Sequence, residues 1–258
     1  MEKLVKYTVK ERIAYITINR PEKRNALNES LVQQLKTTFY KAEKDHNAKV
    51  IVLEAEGEVF SAGADLAYLQ KLQANTANEN LADSHQLREL FSAIYFSEKI
   101  TIAKVQGHAI AGGCGLVTVC DFAFTQTEAK FGYTEVKIGF VPALVALFLI
   151  RKIGEGKAKD LLLSGRLISA DEALSLGLVN KIIAVEQLDE EVNQFAKQLC
   201  IETSANAVAI TKNLIQKVQT MNSEDALIFA AKTNAQVRST EDFKKGVDSF
   251  LTKTKLTW

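Results

Sequence analysis

The chain has 258 residues, with 32 Lys and Arg against 31 Asp and Glu and a formal net charge of +1 at pH 7. This balance gives no basic footprint for nucleic acid or for an anionic membrane surface, so we expect neither as a partner. No apolar run reaches transmembrane length and the first residues lack the layout of a secretory signal, so we expect a cytoplasmic protein. Cys114, Cys120 and Cys200 lack metal-ligand spacing, so we expect no metal site, and the apolar helix that carries Cys114 and Cys120 predicts that these two are buried reduced thiols.

The first part of the chain contains short strand patterns and one clear amphipathic helix. Residues 3–18 alternate apolar and polar side chains on either side of a charged turn, which predicts a β-hairpin. Asn28 is a suitable N-cap for a helix that extends to about Asp45, and residues 50–55 have the pattern of a buried strand. Residues 71–85 are polar and lack strong periodicity, which indicates either a mobile segment or a poorly packed helix end.

The remainder repeats a unit of strand, small-residue turn and helix, and then becomes entirely helical. This order predicts an α/β fold whose successive units carry parallel strands. We therefore divide the chain into an α/β core, residues 1–185, and a helical C-terminal region, residues 186–258. The predicted strands here are residues 101–106, 122–125, 129–132 and 178–183, and the predicted helices of the core are residues 87–96, 143–153, 155–163 and 169–176.

Two small-residue turns, residues 60–66 and 107–116, each follow a strand and lead toward a helix. The free N–H groups and positive dipole end of a helix start suit an oxygen that becomes anionic during a reaction. The second turn has neither the Gly-x-Gly-x-x-Gly spacing of dinucleotide folds nor the Gly-Lys-Ser/Thr ending of a phosphate loop. Together the turns predict a pair of N–H donors for an acyl oxygen as it becomes an enolate. Taken alone, residues 107–116 fit a close strand–helix packing turn equally well.

Glu135 is the most interesting acid, because apolar residues 136–141 follow it almost without interruption. Desolvation in such surroundings would raise its pKa and prepare it for proton transfer. The alternative is an acid that caps a turn or pairs with Lys130 or Lys137. His108 adjoins the second turn, where a packing or surface role is favoured over catalysis.

Several stretches, in this order and spacing, resemble the enoyl-CoA hydratase/isomerase (crotonase) superfamily over nearly the whole chain. The resemblance implies a crotonase-like spiral of ββα turns with a helical C-terminal region that mediates oligomerisation, as a homotrimer or a dimer of trimers. It also implies an acyl-CoA thioester substrate and no separate cofactor, since coenzyme A is part of the substrate. The stretches that carry it are residues 16–21, 25–28, 60–66, 107–121, 169–179 and 242–251.

Carried over position by position, the resemblance assigns roles to particular residues. The backbone N–H groups of Ala64 and Gly112 would form an oxyanion hole for the thioester carbonyl, and Glu135 would carry out the proton chemistry. Ala62 and Leu66 would line the adenine and pantetheine site, and Lys23 or Arg24 would face the CoA phosphates. The full set implied to bind substrate or CoA is Lys23, Arg24, Ala26, Ala62, Ala64, Asp65, Leu66, Gly112, Gly113 and Pro142.

The departures from the family pattern decide the expected reaction. Many hydratases of the family carry two glutamates, and here Gly115 stands at the first position while Glu135 matches the second. Residues 115–117, 134–139 and 141–143 together look most like methylglutaconyl-CoA-type hydratases. We therefore favour hydration of an α,β-unsaturated acyl-CoA, with a branched, methylglutaconyl-like acyl group as the variant that this resemblance implies. A Δ3–Δ2 enoyl-CoA isomerase using the single glutamate is the alternative. A non-catalytic acyl-CoA-binding or RNA-associated relative, with Gly115 marking lost activity, is the third hypothesis.

Overall fold

The computed structural model of the protein describes residues 3–258 and confirms the α/β class predicted from the sequence. The strands are β1 (Val5–Lys10), β2 (Ile13–Ile18), β3 (Val50–Ala55), β4 (Ile100–Val105), β5 (Ala109–Ile110), β6 (Phe122–Gln126), β7 (Lys130–Gly132), β8 (Ile168–Ser169) and β9 (Lys181–Ile183). The helices are α1 (Glu29–Lys44), α2 (Leu66–Leu72), α3 (Ala77–Tyr95), α4 (Gly112–Val119), α5 (Ala143–Ile153), α6 (Glu155–Ser164), α7 (Ala170–Leu176), α8 (Leu188–Glu202), α9 (Ala205–Val218), α10 (Ser223–Val237) and α11 (Glu241–Thr252).

The strands form two sheets. The larger has the order β1-β2-β3-β4-β6-β9, in which the β1–β2 hairpin is antiparallel and every later neighbour is parallel. The smaller has the order β5-β7-β8 and lies along the second small-residue turn. Parallel strands require crossover connections, and the helices between them supply these connections. The parallel strand–turn–helix units expected from the sequence are therefore present.

Both faces of the larger sheet are covered, because the strands present apolar side chains on alternate sides. On one face Ile16 and Leu53 pack into a core shared with α1, α3 and α4. On the other face Ile13 and Val52 pack against Leu188 and other apolar residues of α8. The first helix after residue 186 thus belongs to the packing of the sheet, whereas α9, α10 and α11 contain no fully buried side chain.

The helix signals in the sequence are mostly confirmed. The side chain of Asn28 accepts a hydrogen bond from the N–H of Leu31 and starts α1, as predicted. Residues 71–85 contain the end of α2 and the start of α3, and most of them are exposed, in agreement with the expected poorly packed helix end. The α3 helix starts there through a capping box between Thr76 and Glu79, a signal that the sequence interpretation missed.

Two local elements differ from expectation. The turn after β4 does not lead directly into a helix, because β5 intervenes and pairs with β7. Glu135 begins a single 3-10 turn, Glu135–Ile138, and not an irregular loop. Cys114 and Cys120 are buried free thiols, as predicted, and Cys200 is a buried free thiol as well. Across residues 3–258, no helix is both long enough and apolar enough to cross a bilayer.

Gly107 ends the connection from β4 toward the second turn and gives a test of this close packing. A β-carbon at Gly107 would overlap the carbonyl oxygen of Glu58, whereas one at Gly156 in α6 would meet no atom within 4 Å. We expect Gly107→Ala to lower the free energy of unfolding by about 1–3 kcal/mol or more. Gly156→Ala should raise it by about 0.5–1 kcal/mol, since alanine restricts the unfolded chain. Urea denaturation of both variants measures the difference, and equal stabilities would contradict the packing described.

Candidate active site

The two small-residue turns contact each other directly. The N–H of Ser61 donates to the carbonyl of His108 at 3.1 Å, and the N–H of Ile110 donates to the carbonyl of Ser61 at 2.9 Å. Gly63, with φ of +90°, leaves so little room that a β-carbon there would lie 2.8 Å from the β-carbon of Ala111. Glycine is therefore required at this contact both for its backbone conformation and for its missing side chain.

Hydrogen bonds to Leu27 orient the backbone around Ala64. The N–H of Leu27 donates to the carbonyl of Gly63 at 2.7 Å, and the N–H of Asp65 donates to the carbonyl of Leu27 at 2.9 Å. In such a parallel bridge the N–H of Ala64 itself points away from Leu27. This N–H has no hydrogen-bond partner in residues 3–258, and Ala64 is exposed.

Gly112 is the first residue of α4, so its N–H has no acceptor within the helix. The preceding residue, Ala111, has φ of 49° and ψ of −124°, a conformation that L-residues rarely adopt. Such strain costs about 1–3 kcal/mol and persists only where neighbouring structure imposes it. Here the N–H of Ala111 donates to the carbonyl of Gly132 at 2.7 Å. The free N–H groups of Ala64 and Gly112 thus lie on two turns in contact, as the predicted pair of donors requires.

Glu135 follows β7, the strand that carries Gly132. Because the Ala111–Gly132 hydrogen bond ties this strand to the start of α4, Glu135 lies near the second turn. The Oε2 atom of Glu135 is buried and has no hydrogen-bond partner. Burial raises the pKa of Glu135 above the ordinary value of a glutamate. No ion pair joins it to Lys130 or Lys137 in the described part of the chain, so the ion-paired alternative lacks support.

The cationic residues assigned to CoA lie on a turn beside the first small-residue turn. Lys23 ends a 3-10 turn, Pro21–Lys23, and Arg24 follows it with φ of 50°. Both side chains are exposed. The N–H of Ala62 donates to the carbonyl of Arg24 at 3.0 Å, which places these cations next to Ala62, while Ala26 is buried beneath.

Two side chains that stabilise this region through hydrogen bonds were not identified from the sequence. Asn25 is fully buried, and its side-chain amide donates to the carbonyls of Glu56 at 2.8 Å and Val59 at 2.7 Å. Arg20 donates to Asp65 Oδ2 at 2.7 Å and to the carbonyl of Ala26 at 2.9 Å. The sequence did contain a signal for Asn25, since this polar residue stands next to apolar ones. A polar side chain that is buried among apolar residues must find hydrogen-bond partners.

Asp65 is engaged within the chain. Its Oδ1 accepts from the N–H groups of Ala67 at 2.9 Å and Tyr68 at 3.2 Å and so caps α2, while Oδ2 binds Arg20. Burial alone would raise its pKa, but the bond to Arg20 together with the Tyr68 N–H lowers the pKa of Asp65 below its ordinary value. Both oxygens of the Asp65 carboxylate are therefore already engaged within the chain and are not positioned for a direct ionic contact with substrate.

The remaining predicted residues border the turns. Leu66 starts α2 with 77 % of its surface exposed, so its side chain is free to contact a ligand. Gly113 packs so closely on Ser61 that a β-carbon would lie 2.5 Å from the Ser61 carbonyl oxygen. Pro142 is the half-buried N-cap residue of α5. His108 is exposed and accepts a hydrogen bond from the Lys130 N–H, consistent with the surface role expected.

Gly115 lies one turn along α4 from Gly112 and is covered by an aromatic ring. A β-carbon at Gly115 would lie 2.6 Å from Cζ of Phe91. Phe91 in turn packs edge-to-face on Phe148, with ring centroids 6.4 Å apart. The position where a second glutamate was sought therefore has no space for a carboxylate side chain.

Comparison with known proteins adds independent findings. The family model described as Enoyl-CoA hydratase/isomerase matches residues 8–258. A Thermus thermophilus protein named "Putative enoyl-CoA hydratase" is 42% identical over 95% of this chain and 96% of its own length. A crotonyl-CoA hydratase of Syntrophomonas wolfei is 34% identical over 95% of this chain and 94% of its own length. A crystal structure of an enoyl-CoA hydratase from Shewanella pealeana, 27% identical, superposes with a TM-score of 0.93 over 99% of this chain and 96% of that one, which confirms the expected fold.

The packing of Phe91 on Gly115 predicts a strong coupling between the two positions. Gly115→Ala should lower the free energy of unfolding by about 1–3 kcal/mol, because the new methyl group overlaps the Phe91 ring. Phe91→Leu in the same chain should recover part of that loss. The double variant should therefore lose less stability than the sum of the losses in the two single variants. Chemical denaturation of the four proteins measures this coupling. Strictly additive losses would show that the contact does not exist.

Proposed function

Because this chain belongs to the enoyl-CoA hydratase/isomerase family, we propose that it adds water to the double bond of an α,β-unsaturated acyl-CoA. One observation carries the proposal: the buried Oε2 atom of Glu135 lacks a hydrogen-bond partner, and the strand before Glu135 is bonded to the start of α4, where Gly112 has a free N–H group. A carboxylate in such a place is available to a water molecule or a substrate proton. The relatives named above as hydratases support the same reaction.

In the proposed mechanism the thioester oxygen accepts hydrogen bonds from the N–H groups of Ala64 and Gly112. Glu135 takes a proton from water, and the resulting hydroxyl forms a bond to the third carbon of the acyl group. The electron pair of the double bond moves to the thioester oxygen as an enolate, which the two N–H groups stabilise. Glu135 then returns the proton to the second carbon. Each N–H donor of this kind is worth about 10²–10³ in rate.

The same proposal assigns the coenzyme A portion to the neighbouring surface. The exposed cations of Lys23 and Arg24 suit phosphate groups, since charge-assisted hydrogen bonds to phosphate are short and strong. Ala62, Leu66 and the backbone beside Ala26 border the path from these cations to the donor turns. Coenzyme A arrives as part of the substrate, so the proposal needs no separate cofactor.

The acyl group is proposed to be branched and methylglutaconyl-like, on the resemblance of residues 115–117, 134–139 and 141–143 to hydratases of that type. We further propose a cytoplasmic homotrimer or dimer of trimers. The exposed apolar side chains of α10 and α11 support an assembly through the C-terminal region, because large exposed apolar patches mark interaction sites. They include Leu227, Ile228, Phe250 and Leu251.

A Δ3–Δ2 enoyl-CoA isomerase is the second candidate. The observation that favours it is the packing of Phe91 on Gly115, which leaves no space for the second glutamate and so leaves Glu135 as the single glutamate of the proposed site. In this reaction Glu135 removes a proton from the second carbon and returns it to the fourth, while the same N–H groups stabilise the dienolate. No water is consumed.

A product assay distinguishes the candidates. The purified protein is incubated separately with crotonyl-CoA, 3-methylglutaconyl-CoA and a 3-enoyl-CoA. The products are separated by liquid chromatography and analysed by mass spectrometry and by ultraviolet absorbance, which detects a double bond conjugated with the thioester. A gain of one water supports the hydratase, with the preferred substrate testing the branched acyl group. A double-bond shift without change of mass supports the isomerase. Binding without turnover of any substrate would identify a non-catalytic acyl-CoA-binding relative.

Glu135→Gln should abolish turnover while CoA-thioester binding stays within about twofold, because the amide keeps the shape but cannot accept the proton. The raised pKa of Glu135 means that its charged form destabilises the fold at neutral pH. The variant should therefore be at least as stable as the wild type at pH 7, which separates a lost base from a lost fold. Turnover close to that of the wild type would disprove the assignment.

The raised pKa of Glu135 also predicts how kcat/KM depends on pH. If the carboxylate form of Glu135 acts as the base, kcat/KM rises with pH as this group loses its proton. Because burial raises its pKa, the midpoint of the rise should lie above the ordinary value of about 4.3 for glutamate. Initial rates from pH 4 to pH 8, taken over the range where the protein stays folded, measure the midpoint. A fall in kcat/KM across this same range would require Glu135 to act first as an acid.

A further inference from the structure

A set of buried hydrogen bonds connects the segment just before Glu135 to the helix that starts at Gly112. The hydroxyl of Tyr133, a fully buried residue, lies 2.6 Å from Oγ1 of Thr118. Thr118 Oγ1 donates its proton to the carbonyl of Cys114 at 2.8 Å. Since a threonine hydroxyl has one proton, Tyr133 must be the donor in its bond to Thr118.

This set joins the two elements on which the proposed chemistry depends. Thr118 and Cys114 belong to α4, the helix whose first N–H comes from Gly112, and Tyr133 precedes Glu135 by two residues. Among residues 133–140, Tyr133 alone uses its side chain to hydrogen-bond another element, in the part of the chain that the structure describes. The unpartnered Oε2 atom of Glu135 gives no such anchor.

We infer that Tyr133 is a positioning residue: its hydroxyl, bonded to Thr118, fixes the Glu135 carboxylate relative to the N–H of Gly112. The Ala111–Gly132 bond and the pairing of β7 with β5 and β8 hold the chain as far as Gly132, where the strand ends. The buried bond from Tyr133 to Thr118 adds a direct link to α4 beyond the end of the strand, two residues before Glu135. The inference rests on the proposed function only in that Glu135 acts on a thioester held at Gly112.

Four variants test this role. Tyr133→Phe and Thr118→Val each remove one side of the Tyr133–Thr118 bond, Thr118→Ser retains it, and Tyr7→Phe is the matched control. Tyr7 also donates from its hydroxyl to a side chain, Asp45, at 2.8 Å, but it lies in the β1–β2 hairpin far along the chain from the site. Loss of the Tyr133–Thr118 bond should lower kcat about tenfold with KM within about twofold, because small misplacements of a reacting group are costly. Thr118→Ser and Tyr7→Phe should keep kcat near the wild-type value.

The double variant Tyr133→Phe with Thr118→Val should be no slower than either single one, since both remove the same bond. Additive losses would overturn the inference, as would a Tyr133→Phe protein that melts earlier but keeps its kcat per folded molecule. Should Tyr133→Phe fail to fold, the comparison of Thr118→Val with Thr118→Ser decides the same question.

Hydrogen exchange of the substrate-free protein gives a readout that does not depend on turnover. Amides of residues 133–140 should exchange faster in Tyr133→Phe than in the wild type, and Tyr7→Phe should leave them unchanged. Unchanged exchange in Tyr133→Phe would overturn the positioning role even if the enzyme is a hydratase. If the wild type turns over none of the acyl-CoA substrates, the proposed function fails, whereas faster exchange still supports Tyr133 as the anchor of the Glu135 segment.

Discussion

Two backbone N–H groups from distant parts of the chain can serve one oxygen only if the turns that carry them are in contact. In this protein that contact is the bridge of Ser61 to residues 108–110, together with the close approach of Gly63 to Ala111. The remaining features support it. The parallel sheet brings the ends of β3 and β4 to one edge, and the buried amide of Asn25 fastens the preceding turn to residues 56–59. The Arg20–Asp65 pair holds the start of α2 against the same turn.

The surroundings of Glu135 differ from those of the N–H groups of Ala64 and Gly112. Glu135 is desolvated and its Oε2 atom has no hydrogen-bond partner, so burial holds the pKa of Glu135 in the folded state above its unfolded value. A carboxyl group with a raised pKa stabilises the fold at pH values below its unfolded pKa, and this contribution is lost as the pH rises through the folded pKa. At neutral pH the charged group therefore opposes folding. Such a group persists only because its neighbours fix the backbone around it, which here means the Ala111–Gly132 bond and the buried Tyr133 hydroxyl.

Much of the fold could be predicted from local patterns, because strand alternation and helix caps act over a few residues. The Asn28 cap, the β1–β2 hairpin and the parallel strand units all follow from such signals. The site could be predicted less completely. The donor turns and Glu135 carry visible signals, namely small residues after strands and an acid among apolar neighbours. The supports Asn25, Arg20 and Tyr133 depend on partners that lie 30 or more residues away or on another element, and no spacing rule reveals these contacts.

The contact between Gly115 and Phe91 also joins two different elements, and it determines whether an acid can occupy position 115. The sequence shows only that position 115 lacks an acid, whereas the structure shows that a phenyl ring fills the space beside it. Phe91 belongs to α3 and contacts Phe148 of α5, so the ring also helps to join two helices of the core. A carboxylate could be restored at position 115 only by removing this packing, at a cost of several kcal/mol for a buried aromatic residue. The lack of an acid at position 115 is therefore built into the core around α4, which is why the proposed chemistry assigns proton transfer to Glu135.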